Sequence, residues 1–155
     1  MSELSDLYQE LILDHNRSPR NRGAIENATR TASGFNPLCG DRVVLQLKIE
    51  DDQIVDAKFD GCGCAISTAS ASMMTDAIRG HACKDASTLS EAFRAVLTSD
   101  SDVEVDTESL GKLAALAGVR AYPTRVKCAT LAWRTLEAAL QDADEPVTTE
   151  GADHG

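Results

Sequence analysis

Val43-Val44-Leu45-Gln46-Leu47-Lys48-Ile49-Glu50-Asp51-Asp52-Gln53-Ile54-Val55-Asp56-Ala57-Lys58-Phe59-Asp60 is the stretch that decides the fold. Val43, Leu45, Leu47 and Ile49 alternate with Val44, Gln46, Lys48 and Glu50, the period-2 pattern of a half-buried strand. Val55, Ala57 and Phe59 alternate in the same way with Ile54, Asp56, Lys58 and Asp60, and give a second strand. Asp51-Asp52 turns the chain between them. So short a connection makes the pair an antiparallel hairpin.

Both ends of the hairpin carry chemistry. Upstream stands Asn36-Pro37-Leu38-Cys39-Gly40-Asp41, which sets a thiol and a carboxylate two residues apart. Pro37 shapes the approach, and Gly40 frees the backbone between the two side chains. In an extended segment residues i and i+2 point the same way, so Cys39 and Asp41 are expected to aim at one point. Downstream, Gly61-Cys62-Gly63-Cys64 breaks the second strand and opens a helix on which Ile66, Ala69, Met73, Ala77 and Ile78 share a face, with Gly80 at its end.

The rest of the chain is mostly helical in pattern. Leu4, Leu7, Tyr8, Leu11 and Ile12 predict an amphipathic N-terminal helix ending at Asp14-His15-Asn16. Residues 16–27, with Arg17, Arg20 and Arg22, read as a polar, basic loop; a solvated loop is preferred to a contact with an acidic partner. Ala28 to Phe35 is expected to add a short strand. Thr88 and Glu91 form a capping box for a helix carrying Leu89, Ala92, Phe93, Val96 and Leu97. Residues 99–108 read as an acidic loop. A helix around Leu110, Leu113, Ala114 and Ala117 is expected to stop at Gly118. Tyr122-Pro123-Thr124 opens the last helix, with Pro in its first turn and Val126, Ala129, Thr130, Trp133, Leu136 and Leu140 as its core face. The expected fold is α+β: a small antiparallel sheet of about three strands packed against helices, N-terminal helix first, with a helical C-terminal half. Residues 1–142 form one domain, and 143–155 an acidic tail expected to lack structure.

Composition narrows the function classes. The 155 residues suffice for one sizeable core. A formal net charge of −10 argues against nucleic acid and against an anionic membrane surface. There is no secretory apolar region and no long apolar run, so a cytoplasmic protein without a membrane span is expected. Five cysteines in a reducing compartment point to metal binding or catalysis before a disulfide framework.

Three of those cysteines sit at element ends. Cys39 lies in a loop, Cys64 at a helix start, and Cys128 in what reads as a first helical turn on the far side of the core face. Free backbone N–H groups at a helix start favour a thiolate. With Asp41 these cysteines offer S, S, S and O donors, a set that suits tetrahedral zinc or an iron–sulfur cluster with one carboxylate ligand. Cys62 is read as pointing away from this site, and Cys83 as a structural or incidental thiol. His15, His81 and His154 are scattered, and none makes a convincing base. Arg125 and Lys127 flank Cys128 and either help hold thiolates deprotonated or stand as exposed first-turn charges.

Taken together, Asn36 to Asp41, Gly61-Cys62-Gly63-Cys64-Ala65-Ile66-Ser67 with Ala69 to Met74, and Arg125-Val126-Lys127-Cys128-Ala129-Thr130-Leu131-Ala132-Trp133 resemble the SufU branch of the U-type iron–sulfur assembly proteins. The order and spacing hold over roughly residues 1–142. The resemblance implies a compact α+β fold and zinc held by Cys39, Asp41, Cys64 and Cys128. It implies that Cys39 accepts sulfur from the persulfide of a pyridoxal-phosphate cysteine desulfurase of the SufS type and passes it to the iron–sulfur assembly machinery. Arg125 and Lys127 are expected to orient the persulfide or the partner's carboxylates.

The related scaffold branch usually has His immediately before the last ligand cysteine, where this chain has Lys127. Together with the long segment between Cys64 and Cys128, this points toward sulfur transfer. Cys62 departs from the usual Gly-x-Gly-Cys motif. The alternatives are a scaffold that assembles a transient [2Fe–2S] cluster on the same ligands, and a non-catalytic module with a structural zinc, which an Asp ligand mildly disfavours.

Overall fold

The computed structural model describes residues 3–37, 40–99, 108–141 and 147–148, with the backbone alone for 3–8, 62, 108, 109, 147 and 148. Helix α1 (Glu3–Arg17) comes first, followed by strands β1 (Arg30–Asn36), β2 (Asp41–Glu50) and β3 (Gln53–Cys62). Helices α2 (Ala65–Ile78) and α3 (Cys83–Leu97), a 3₁₀ stretch (Glu108–Ala121), helix α4 (Pro123–Leu140) and the two-residue β4 (Val147–Thr148) complete the order. This is the α+β class expected, with the N-terminal helix first and a helical C-terminal half.

The sheet runs β3-β2-β1-β4. The first three strands are antiparallel, and β4 pairs in parallel with Gly34 and Phe35 of β1. Val147 and Thr148 belong to the stretch expected to form an unstructured tail, and the remaining residues of that stretch lie outside the described ones. Asp51 and Asp52 both have left-handed backbones (φ 52° and 63°), the pair of conformations a two-residue hairpin turn requires. One face of the sheet is buried through Ala32, Val43, Leu45, Leu47, Ala57 and Phe59, and α2 and α4 pack on the sheet.

The register carries one correction. Lys48 pairs with Asp56 but Ile49 pairs with Ile54, so Val55 has no residue opposite it. This β-bulge shifts the alternation by one position. Ile54 is therefore fully buried, while Val55, expected on the apolar side, is 43% exposed.

Helix α4 is the spine. Gly34 lets it approach β1: a Cβ there would stand 2.1 Å from Thr135 Oγ1 and 3.0 Å from Leu131 Cδ1. Small residues on α2 let it approach from the other side. Trp133 Nε1 donates to Ser70 Oγ (3.1 Å), and the Ser70 hydroxyl donates to the Ala129 carbonyl (2.5 Å). Trp133 also stacks on Phe93 of α3, with centroids 4.6 Å apart. From Cys128 to Ala139 nearly every residue of α4 is buried, well beyond the single stripe expected, because sheet and helices enclose it.

Two other helices differ from expectation. Helix α3 starts at Cys83, so Thr88 and Glu91 lie within it and no side chain caps its N-terminus. Contacts with the hairpin set that start instead. Cys83 N–H donates to the Asp52 carbonyl, and Ile54 N–H donates to the His81 carbonyl, both at 2.8 Å. The segment around Leu110 is 3₁₀, kinks at Gly111 (φ 57°, ψ −128°) and continues past Gly118 to Ala121. Gly118 has an unconstrained surface position, and Leu113, Leu116 and Val119 keep the segment anchored to the core across it.

The basic loop is solvent-accessible as expected, with none of residues 16–27 buried, but it is tied to the sheet. Gly23 N–H donates to the Phe59 carbonyl, and Phe59 N–H donates to the Asn21 carbonyl, which lays the loop along β3. Arg20 pairs with Asp14 and Arg22 with Asp60. His15 is buried beside it, Nδ1 2.7 Å from Ser72 Oγ, which also accepts Arg20 N–H. Burial, then the nearby Arg20 charge, pushes the His15 pKa below its ordinary 6.5. Among the described residues no helix is long and apolar enough to cross a membrane.

Two predictions follow from burial. Ile54→Ala should cost roughly 2–5 kcal/mol of unfolding free energy, and Val55→Ala within about 0.5 kcal/mol, by denaturant titration; equal costs would contradict the bulge. The unfolded chain protonates His15 before the folded one does, so the stability it contributes is complete above pH 6.5 and lost as pH falls below that value. The fall in Tm on acidification below 6.5 should be shallower in His15→Asn than in wild type.

Candidate metal centre

Five elements end or pass at one end of the sheet. β1 finishes with Asn36 and β2 begins with Asp41, and the two are cross-strand partners. Their side chains share the buried face, and each residue is 0% exposed. β3 ends at Cys62, Cys64 caps α2, and α4 passes overhead with Cys128 in its second turn. A carboxylate oxygen of Asp41 and the Sγ atoms of Cys64 and Cys128 all lie within 4.8 Å of one another.

Each donor is held by its own local structure. Asp41 Oδ1 accepts the Cys64 N–H at 2.9 Å. Cys64 Sγ accepts the Ser67 N–H at 3.4 Å, acting as the N-cap of α2. That cap satisfies one of the free N–H groups at the helix start and presents the sulfur to the positive end of the helix dipole. Cys128 is 3% exposed, held on α4. Its burial departs from the expected far-side, first-turn position, because the sheet covers that side of the helix. Gly63 leaves room for the carboxylate: a Cβ there would stand 2.8 Å from Asp41 Oδ1.

Asn36 is the residue that sequence reasoning did not single out. Its Nδ2 lies 3.4 Å from Asp41 Oδ2 and 3.8 Å from Cys128 Sγ. Its carbonyl accepts the Gly40 N–H at 2.8 Å, closing the loop between β1 and β2. The signal available was its place as the last residue of a strand whose alternate positions face inward.

Of the other expected residues, Cys39 lies outside the described residues, and so does the side chain of Cys62. Arg125 is exposed at the start of α4, with its guanidinium 4.8 Å from the centroid of the Tyr122 ring. Lys127 is half-buried one residue before Cys128. Cys83 is half-buried at the start of α3; burial first, and then the Asp52 charge, pushes its thiol above the ordinary value. That is the environment of an unreactive thiol. Among the described residues, Asp41, Cys64 and Cys128 form the one group of three or more such side chains close enough to hold a metal ion, so His81 and Cys83 make no site. Two thiol sulfurs and a carboxylate oxygen, each hydrogen-bonded from behind, are donors that fit Zn²⁺.

Residues 7–129 match the family model of the NifU-like N-terminal domain, and the chain belongs to that family. It is 44% identical over 140 residues to a Bacillus subtilis protein named zinc-dependent sulfurtransferase SufU, covering 90% of this chain and 92% of that one. It is 38% identical over 141 residues to a Streptococcus pyogenes protein named iron–sulfur cluster assembly scaffold protein IscU, covering 91% and 87%. A crystal structure from Fervidobacterium islandicum, described as a candidate iron–sulfur cluster assembly scaffold protein for the SUF system, superposes with a TM-score of 0.78. It shares 39% identity, over 84% of this chain and 94% of that one.

Gly63→Ala pushes a methyl group against Asp41 Oδ1 with no left-handed backbone to strain. Zinc affinity, measured by competition with a chromophoric chelator, should drop by roughly tenfold to a hundredfold, with the Tm of the metal-free protein little changed.

Proposed function

We propose that this chain works in iron–sulfur cluster assembly as a zinc-dependent sulfur-transfer protein. Asp41, Cys64 and Cys128 would hold Zn²⁺, with Cys39 as the fourth ligand. Cys39 would accept persulfide sulfur from a cysteine desulfurase of the SufS type and hand it to the assembly machinery downstream. The observation that carries the reading is the convergence of the Asp41, Cys64 and Cys128 donors within 4.8 Å at one end of the sheet. It is supported by the Bacillus subtilis relative named for zinc-dependent sulfur transfer, and by Lys127 in place of the His that the scaffold branch usually carries.

When bound, the metal supplies positive charge that favours the deprotonated sulfurs. The remaining work belongs to the chain. Cys64 is tied to the start of α2 and Cys128 is buried on α4, so neither is placed to travel. Gly40, next to Cys39, has a left-handed backbone (φ 75°) and open space around it. Cys39 is therefore the ligand proposed to leave the metal, because Gly40 beside it carries no side chain. The Cys39 thiolate attacks the terminal sulfur of the donor persulfide. A new S–S bond forms on Cys39, the donor's S–S bond breaks, and the donor cysteine leaves as a thiolate with that electron pair. The product is a persulfide on Cys39, with no net redox change.

Arg125 has no ion pair among the described residues, and its stacking on Tyr122 leaves the guanidinium edge available to a persulfide or a carboxylate. It is therefore the cation proposed to orient the incoming group. The second reading is a scaffold for a [2Fe–2S] cluster on the same ligands, supported by the Streptococcus pyogenes relative's name. One bound zinc and a colourless protein favour transfer; a brown, sulfide-containing protein after anaerobic purification favours the scaffold.

The test is desulfurase turnover with the zinc-loaded and the zinc-stripped chain. Wild type should accelerate alanine release and gain the mass of one sulfur on Cys39, while Cys39→Ala should give neither. Normal stimulation by Cys39→Ala would sink the transfer mechanism. Arg125→Ala should lower turnover by about tenfold or more if one charge-assisted contact in the reacting complex is lost; unchanged turnover removes Arg125 from the role.

A further inference from the structure

Asn36 is a fully buried amide on the edge of a cluster of metal-binding atoms. A polar side chain taken entirely out of water costs stability unless its hydrogen bonds are made inside. An apolar residue of similar volume would fill the same space without that cost, so packing alone does not account for an amide here. Its contacts do. Nδ2 carries two N–H donors, and two acceptors lie within reach of it: Asp41 Oδ2 at 3.4 Å and Cys128 Sγ at 3.8 Å. These acceptors come from different elements, β2 and α4, and belong to the two buried members of the cluster.

The placement follows from the register. Asn36 and Asp41 face each other as the last cross-strand pair of β1 and β2, with both side chains on the buried side. Helix α4 lies close over β1 at Gly34, and this brings Cys128 above the same pair. Asp41 is then gripped at both oxygens, by the Cys64 N–H on Oδ1 and by Asn36 on Oδ2. Cys128 is tied to the sheet end through the same amide. The Asn36 carbonyl, bonded to Gly40 N–H, also fixes the base of the loop that leads to Asp41.

We propose that Asn36 is a positioning residue of the metal centre, its side-chain amide holding the Asp41 carboxylate and the Cys128 sulfur at their mutual spacing before the metal arrives. The inference rests on the metal-binding reading of Asp41, Cys64 and Cys128. Groups behind metal ligands fix ligand orientation, and their loss typically weakens binding about 10–100-fold. Asn36 differs from the usual case in serving two ligands at once. Its removal releases an oxygen donor and a sulfur donor together, so the change reaches the electronic structure of the bound metal as well as the affinity.

The experiment is a titration of the metal-stripped full chain with Co²⁺ alone, which reports its ligands through thiolate-to-cobalt charge-transfer and ligand-field absorption. Wild type is compared with Asn36→Leu, which keeps the branching and removes the donor. The expected result is affinity weaker by about 10–100-fold, with altered band positions or intensities, in a chain whose circular dichroism shows it folded. Should Asn36→Leu not fold, Asn36→Ala, which adds no bulk, carries the same comparison. Affinity within twofold of wild type and an unchanged spectrum would overturn the role of Asn36. A wild-type chain that takes up no cobalt would overturn the metal reading itself, and the inference with it. A purely structural Asn36 would lower the Tm and leave the cobalt spectrum where it was.

Discussion

The close approach of α4 to β1 across Gly34 is the contact on which the rest of the molecule depends. There is no room for a methyl group between Gly34 and Thr135. At that spacing the helix covers the buried face of the sheet and sets Cys128 over the point where β1 ends and β2 begins. Ser70 and Ala129 bring α2 equally close from the other side, through a hydrogen bond that only a small residue could make at that distance. A chain with 4% aromatic residues has little ring surface with which to fill gaps. It builds its core from Ala, Ser, Leu and Val at short range, and Trp133 on Phe93 is its single large stacked pair among the described residues.

That arrangement gives the candidate metal centre an uneven character. Asp41, Asn36 and Cys128 lie in a water-excluded layer between sheet and helix, where hydrogen bonds are strong and geometry is fixed. Cys64 sits at the solvent side, held by the N-terminus of α2. Such a centre has a rigid back and an accessible front. This shape suits the proposed role, in which the donors stay in place while the site meets a partner. Arg125 on Tyr122 and Arg42 near the Phe35 ring add exposed, aromatic-backed cations beside the sheet end, within a chain whose net charge is −10.

Much of this was legible beforehand, for physical reasons that can be named. The hairpin was readable because one face of each strand is buried, so polarity alternates with a period of two. Asp51-Asp52 was readable as a turn because the strands around it are so close in sequence. Pro123 marked the start of α4 because its missing N–H is harmless only in the first turn. The cysteines and Asp41 stood out by their position at element ends. What the pattern concealed were effects of neighbours distant in sequence. Val55 looked inward until a bulge changed the phase. Helix α3 looked capped at Thr88, yet its start is fixed by bonds from the hairpin turn to Cys83. The basic loop is solvent-accessible as it looked, but its backbone hydrogen bonds to Phe59, which lay it along β3, left no mark in the pattern.

The sequence by itself therefore determined the class of fold, the hairpin and the helical order, and it singled out residues whose donor chemistry suits a metal, because periodicity and donor chemistry are local properties. It also carried the family resemblance, which rests on three short motifs. Only the tertiary structure decided that Asp41, Cys64 and Cys128 share one small volume and that Asn36 stands between two of them. Convergence of that kind depends on strand register and on how near one helix can come to a sheet. Both are set by packing among residues as far apart as Gly34 and Thr135, and no local pattern encodes such a distance.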